Sequence, residues 1–137
     1  MMNIALWILQ LLLAVLYAWH GWLFLSPPPE LLEIMNEQLA PWFRIFLGTA
    51  EVLAAFGLIL PGVTRIMPWL TPVTGVGLMI VMISATVLHS FRGETSSAIT
   101  TTILLAIVTF VTYMRWKVRP IAPRDDNAAF GNRSVSI

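Results

Sequence analysis

The sequence predicts an all-α integral membrane protein, a bundle of four transmembrane helices with a short amphipathic surface helix between helices one and two. Three observations predict it. Of 137 residues, 58% are hydrophobic and only 11% charged, against about 25% charged in a soluble domain. Four apolar runs, 4–25, 42–60, 66–89 and 95–114, have the length that crosses a hydrocarbon core of about 30 Å at about 1.5 Å per residue. Charged side chains collect between these runs, with Arg44 and Glu51 the exceptions. Lipid offers no partners to free backbone groups, so each span has to be helical.

The first run, Ile4 to Leu25, is too long for the apolar part of a signal peptide. No basic segment precedes it and no small-residue cleavage pattern follows, so it reads as a retained span. Pro27-Pro28-Pro29 then ends one helix and starts another, with Glu30 and Glu33 in the first turn where the helix dipole favours acids. Leu31, Leu32, Met35 and Leu39 fall on one face, opposite Glu33 and Glu37, as in a helix lying on the membrane; an irregular acidic loop is the alternative. The second span runs from about Trp42 to Leu60 and is expected to stop at Pro61-Gly62. The third holds no Asp, Glu, Lys or Arg, and Pro68 and Pro72 suit its first turns. The fourth is threonine-rich, which lipid tolerates because hydroxyls bond back to the preceding turn.

Residues 1–116 thus form one transmembrane domain, and the polar tail 117–137 is expected to lie in the cytoplasm without fixed structure. Basic residues set the orientation. Arg65, Arg115, Lys117, Arg119, Arg124 and Arg133 share the side of the termini, against Arg44 and Arg92 on the other. Both termini are therefore expected to be cytoplasmic, in a bacterial plasma membrane. Trp7, Trp69 and Trp116 would form the inner aromatic belt, and Trp19, Trp22 and Trp42 the outer one.

Composition also excludes. Seven acids nearly cancel eight Lys and Arg, so no field favours nucleic acid. With no cysteine there is no disulfide, thiol catalysis, thiolate-bound zinc or iron–sulfur cluster.

Each span carries a stripe of small or polar residues at 3–4 spacing: Gln10, Ala14, Tyr17 and Gly21; Arg44, Gly48, Glu51 and Ala55; Gly75, Met82, Thr86 and His89; Thr102, Ala106, Thr109 and Tyr113. Bundle packing accounts for the Gly, Ala and Thr positions. Glu51 needs more, because a charge at membrane depth costs roughly 2.5–3.5 kcal/mol even on the lenient scale. His20, Glu51 and His89 all fall within roughly 10 Å of the outer boundary. With Arg44 and Tyr17 they are the candidates for a ligand pocket. Such a trio could hold and protonate a quinone-like carbonyl, or form a buried network that sets helix register. Two histidines and a carboxylate also resemble a metal set, but without tight sequence spacing no metal is expected. The inner half of the bundle offers no comparable polar relay, which argues against a proton channel.

The order of these features resembles the DoxX-like family of small four-helix membrane proteins, over nearly all of Asn3 to Arg115. The features are Gly21 near the end of span one and Pro-Glu-Leu-Leu at 29–32. Arg44-Ile-Phe-Leu-Gly48-Thr-Ala-Glu51 opens span two, and Gly57-Leu-Ile-Leu-Pro61 closes it. Trp69-Leu-Thr-Pro72 begins span three, and His89 ends it before Arg92-Gly93-Glu94. The family takes its name from a membrane subunit of a thiosulfate:quinone oxidoreductase. The resemblance therefore implies a membrane subunit or accessory protein of a quinone-linked redox system, with a redox complex or a second copy as partner. A non-catalytic assembly subunit is the alternative. Many relatives carry a lysine shortly after the glycine matching Gly21, whereas here Trp22-Leu23-Phe24-Leu25 follows. If that lysine pairs with the acid in relatives, Glu51 must here rely on His20, His89 or Arg44.

Overall fold

The computed structural model describes residues 1–125. Five α-helices account for nearly all of them: α1 (Met2–Leu25), α2 (Pro29–Gln38), α3 (Pro41–Thr64), α4 (Leu70–Phe91) and α5 (Thr95–Tyr113), followed by one π-helical turn, Met114–Val118. Four are long and apolar enough to cross a membrane, counting Thr95–Val118 as one span. At 24 residues, α1 and α3 reach about 36 Å.

The spans alternate in direction. α1 packs most extensively on α3 and α4 on α5; α3 meets α4 and α5 meets α1 more lightly. Their shared interior is filled by Leu13, Ala14, Tyr17, Ala55, Leu58, Leu78, Met82, Val108 and Val111. Many other large apolar side chains, among them Ile4, Leu12, Leu53, Phe56, Ile80 and Ile103, are exposed, as lipid-facing residues are. Trp19, Trp22 and Trp42 are exposed at one end, and Trp69 and Trp116 at the end that carries Met1, called here the terminal end.

α2 forms as its pattern predicts. Proline occupies its first turn, Leu31, Leu32, Met35 and Leu39 are half-buried, and Glu30, Glu33 and Glu37 are exposed. Arg92, just past α4, donates to the Gln38 carbonyl at 3.0 Å and ties this helix to the bundle.

The expected end of span two at Pro61 is corrected. α3 continues to Thr64 with Pro61 inside it. A proline removes one N–H and so one hydrogen bond, to the carbonyl four residues back, which a helix anchored by its neighbours tolerates. The turn comes instead at Arg65 and Met67, both left-handed, with φ of 59° and 48°. Span three accordingly begins at Leu70 rather than Ile66.

The stripe expected on the fourth span is also corrected. Thr102, Ala106, Thr109 and Tyr113 all face outward, and the buried line passes through Val108, Val111, Thr112 and Arg115. Thr102 and Thr109 each donate to the carbonyl four residues back, at 2.7 Å. A hydroxyl satisfied by its own helix needs no partner in the interior, so such a threonine can face either side: Thr112, bonded in the same way to Val108, is buried.

The tail departs from expectation as well. Residues 120–124 lie as an extended strap against the α3–α4 turn. Arg65 donates to the carbonyls of Ala122 at 3.1 Å and Pro123 at 3.4 Å, and the Arg124 N–H donates to the Arg65 carbonyl at 3.0 Å. The rest of the tail expected to be unstructured, 126–137, lies outside the described residues.

Candidate functional site

The carboxylate singled out by the sequence is buried. Glu51 is 3% exposed, on the α3 face that also carries Arg44, Gly48 and Ala55. That face meets the α1 face of Gln10, Ala14, Tyr17 and Gly21, all buried. The two helices approach backbone to backbone at Gly21 and Gly48. A Cβ on Gly21 would lie 2.7 Å from the Gly48 carbonyl oxygen, and one on Gly48 would lie 2.8 Å from that of Gly21. Only glycine at both positions lets the backbones approach this far.

That approach positions the pair beside it. His20 precedes Gly21, and Glu51 lies three residues after Gly48. Across the contact, His20 Nδ1 and Glu51 Oε2 are 2.6 Å apart. The Glu51 side chain is 4% exposed and that of His20 44%, so a buried acid is joined to an imidazole at the bundle surface. The His20 ring lies against Phe24, with centroids 4.7 Å apart. Nδ1 is committed to Glu51, and Nε2 has no hydrogen-bond partner among the described residues. An imidazole held in this way by a carboxylate has a defined tautomer and orientation.

The other three candidates do not join this pair. His89 Nδ1 bonds Glu94 Oε2, across the turn between α4 and α5. The sequence leaves open whether both histidines converge on Glu51; His20 bonds it, and His89 bonds Glu94 instead. The reason is local: the turn through left-handed Gly93 returns Glu94 to the end of α4. Arg44, 7% exposed, donates from Nη1 to the Phe24 carbonyl. Phe24 is in the last turn of α1, where carbonyls lack helical partners and attract cations. Tyr17 is a core residue at 1% exposure, its hydroxyl without a partner among the described residues.

A second polar cluster lies at the terminal end, where the inner half was expected to offer none. Arg115, in the π-helical turn, is 3% exposed and Gln10 is fully buried. Arg115 Nε donates to Gln10 Oε1 at 2.5 Å and Nη1 to Asn3 Oδ1 at 2.7 Å. Gln10 Nε2 in turn donates to the Leu58 carbonyl at 2.7 Å, so the cluster joins α1, α3 and the end of α5. The Trp7 ring centroid is 5.2 Å from the guanidinium carbon. Counted along the chain, Arg115 is one of several flanking cations. The available signal was Gln10, a polar side chain on the buried stripe of α1 one turn from Trp7.

Four apolar spans, a surface helix and a His–carboxylate pair near one end of the first helix pair define a four-helix integral membrane protein in which Gln10, Arg44, Glu51 and Arg115 are buried. A model of the DoxX-like family matches residues 8–111, and the chain belongs to that family. No curated protein and no solved structure matches it.

Proposed function

We propose that this DoxX-like protein is a membrane subunit or accessory protein of a quinone-linked redox system, and that His20 and Glu51 form its hydrogen-bonding and proton-exchange site. The observation that carries the reading is the 2.6 Å contact between buried Glu51 and half-exposed His20. His20 presents Nε2 at the bundle surface beside the Phe24 ring, an arrangement suited to an aromatic ring bearing a carbonyl oxygen. Quinone chemistry needs two electrons and two protons. The chain has no thiol to carry the electrons, so a redox partner supplies them. His20 passes one proton through Nε2, and Glu51 keeps the imidazole oriented through Nδ1. The second proton comes from water at the membrane surface. In this reading the protein sits in a bacterial plasma membrane with both termini cytoplasmic, and the His20 end faces outward.

The test is gentle purification from native membranes, followed by mass spectrometry of co-eluting proteins and extracted lipids. A flavin- or haem-bearing partner is expected, or stoichiometric quinone that is lost in Glu51→Gln while the bundle stays folded. A chain that elutes alone with bulk phospholipid refutes the reading. The alternative, a non-catalytic assembly subunit, draws support from the Gly21–Gly48 contact, where the same pair would serve as a register lock. Under it Glu51→Gln leaves co-eluting lipids and partners unchanged.

A further inference from the structure

A cleft of about 450 Å³ opens at the terminal end of the bundle, walled by Trp69, Pro72, Val73, Arg115, Trp116 and Ile121 among others. Its chemistry is lopsided. The walls are mostly apolar and aromatic, and the one charged wall residue, Arg115, is 97% removed from solvent. All the hydrogen-bond partners of Arg115 are neutral: Gln10, Asn3 and, at 3.3 Å, the Arg119 carbonyl. Among the described residues no carboxylate pairs with it, and its Nη2 has no hydrogen-bond partner. A guanidinium carries five N–H donors in a planar fork suited to phosphate or carboxylate. Here Nε and Nη1 are engaged by the protein and Nη2 is left over.

The backbone is unusual at the same place. Arg115 sits in a π-helical turn, closed by the Arg119 N–H on the Met114 carbonyl at 2.6 Å. Such turns are rare and recur at functional sites. Trp69 and Trp116 are exposed beside the cleft, which places it at headgroup depth. The cleft also faces outward, since Val73 on its wall is 47% exposed. The strap at 120–123 supplies the remaining wall, held by Arg65.

We propose that this cleft binds the headgroup of an anionic phospholipid, its phosphate paired with Arg115 and its first methylenes resting on Trp69, Val73 and Ile121. The site is at the opposite end of the bundle from His20 and Glu51 and does not depend on their role. A soluble anion would gain nothing from the apolar walls, and a zwitterionic lipid offers the same phosphate but brings its own cation beside the buried guanidinium, so a net-anionic headgroup compensates the charge better.

The experiment uses the full chain in a neutral detergent. Phosphatidylglycerol, phosphatidylcholine and inorganic phosphate are titrated separately, with bound lipid counted by native mass spectrometry and stabilisation followed by thermal unfolding. One phosphatidylglycerol should be retained in preference to phosphatidylcholine, with inorganic phosphate giving no stabilisation. Arg115→Lys keeps the charge but loses the free Nη2 donor, and should bind phosphatidylglycerol roughly tenfold more weakly. Val73→Trp fills the cleft and leaves the contacts of Arg115 with Asn3 and Gln10 in place. It should lose the lipid even if Arg115→Lys fails to fold. Equal retention of the two lipids, or unchanged phosphatidylglycerol affinity in Val73→Trp, overturns the proposal. Stabilisation by inorganic phosphate equal to that by the lipid overturns the lipid assignment.

Discussion

Adding one methyl group at Gly48 separates steric cost from helix propensity. A Cβ there would lie 2.8 Å from the Gly21 carbonyl oxygen, 2.9 Å from Phe24 Cβ and 3.0 Å from Leu25 Cγ. Carbon contacts are comfortable at about 3.5–4.0 Å, so the new atom overlaps its neighbours by roughly half an ångström or more. The nearest neighbour is backbone, and it moves only if α1 moves. Overpacking of this kind costs about 1–3 kcal/mol, offset by up to about 1 kcal/mol gained when alanine replaces glycine within a helix. Gly77 isolates the second effect: it lies inside α4 with nothing within 4 Å of its Cβ position. Gly77→Ala should therefore leave stability unchanged or raise it, and Gly48→Ala should lower it. The propensity gain cancels in their difference, leaving about 1–3 kcal/mol for the clash alone. Unfolding of both variants in mixed micelles, with a denaturing detergent as titrant, measures that difference. Spreading α1 from α3 should also lengthen the His20–Glu51 contact, so Gly48→Ala should lose any bound quinone along with stability. Equal shifts for both alanine variants would refute the close approach and the site geometry built on it.

Three further outcomes follow from the same contacts. Leu58→Ala, at a core position 2% exposed, should cost about 2–5 kcal/mol in the same unfolding assay; a loss below about 1 kcal/mol would mean that the interior is filled differently. Gln10→Leu strips Arg115 Nε and the Leu58 carbonyl of their partner and should cost about 1–3 kcal/mol, so wild-type stability would contradict the buried cluster. Thr109→Val removes an outward hydroxyl bonded only to its own helix and should change stability by less than about 0.5 kcal/mol; a large loss would put that face back in the interior.

Much of the candidate site was legible along the chain, because the first two stripes are read by simple periodicity. Gln10, Ala14, Tyr17 and Gly21 face Arg44, Gly48, Glu51 and Ala55, as the 3–4 spacing implies. The missing family lysine left three candidates for the partner of Glu51, and His20 is the one in contact. Periodicity failed on the fourth span, where threonine has two ways to satisfy its hydroxyl. It could not give the partners of His89 and Arg44, which lie in a turn and at a helix end. Arg115 was counted only as a flanking cation, since nothing in its neighbourhood along the chain marks it as buried.

By itself the sequence determined the number of spans, the surface helix, the burial of Glu51 and the membership of a membrane family. Those follow from the length of apolar runs, the spacing of polar positions and the cost of exposed backbone in lipid, all local properties of the chain. Only the tertiary structure decided which polar groups meet. Whether Glu51 bonds His20 or His89, and whether Arg115 turns inward, depends on helix rotation and separation. Those are set by contacts such as Gly21 against Gly48, between residues far apart in the chain.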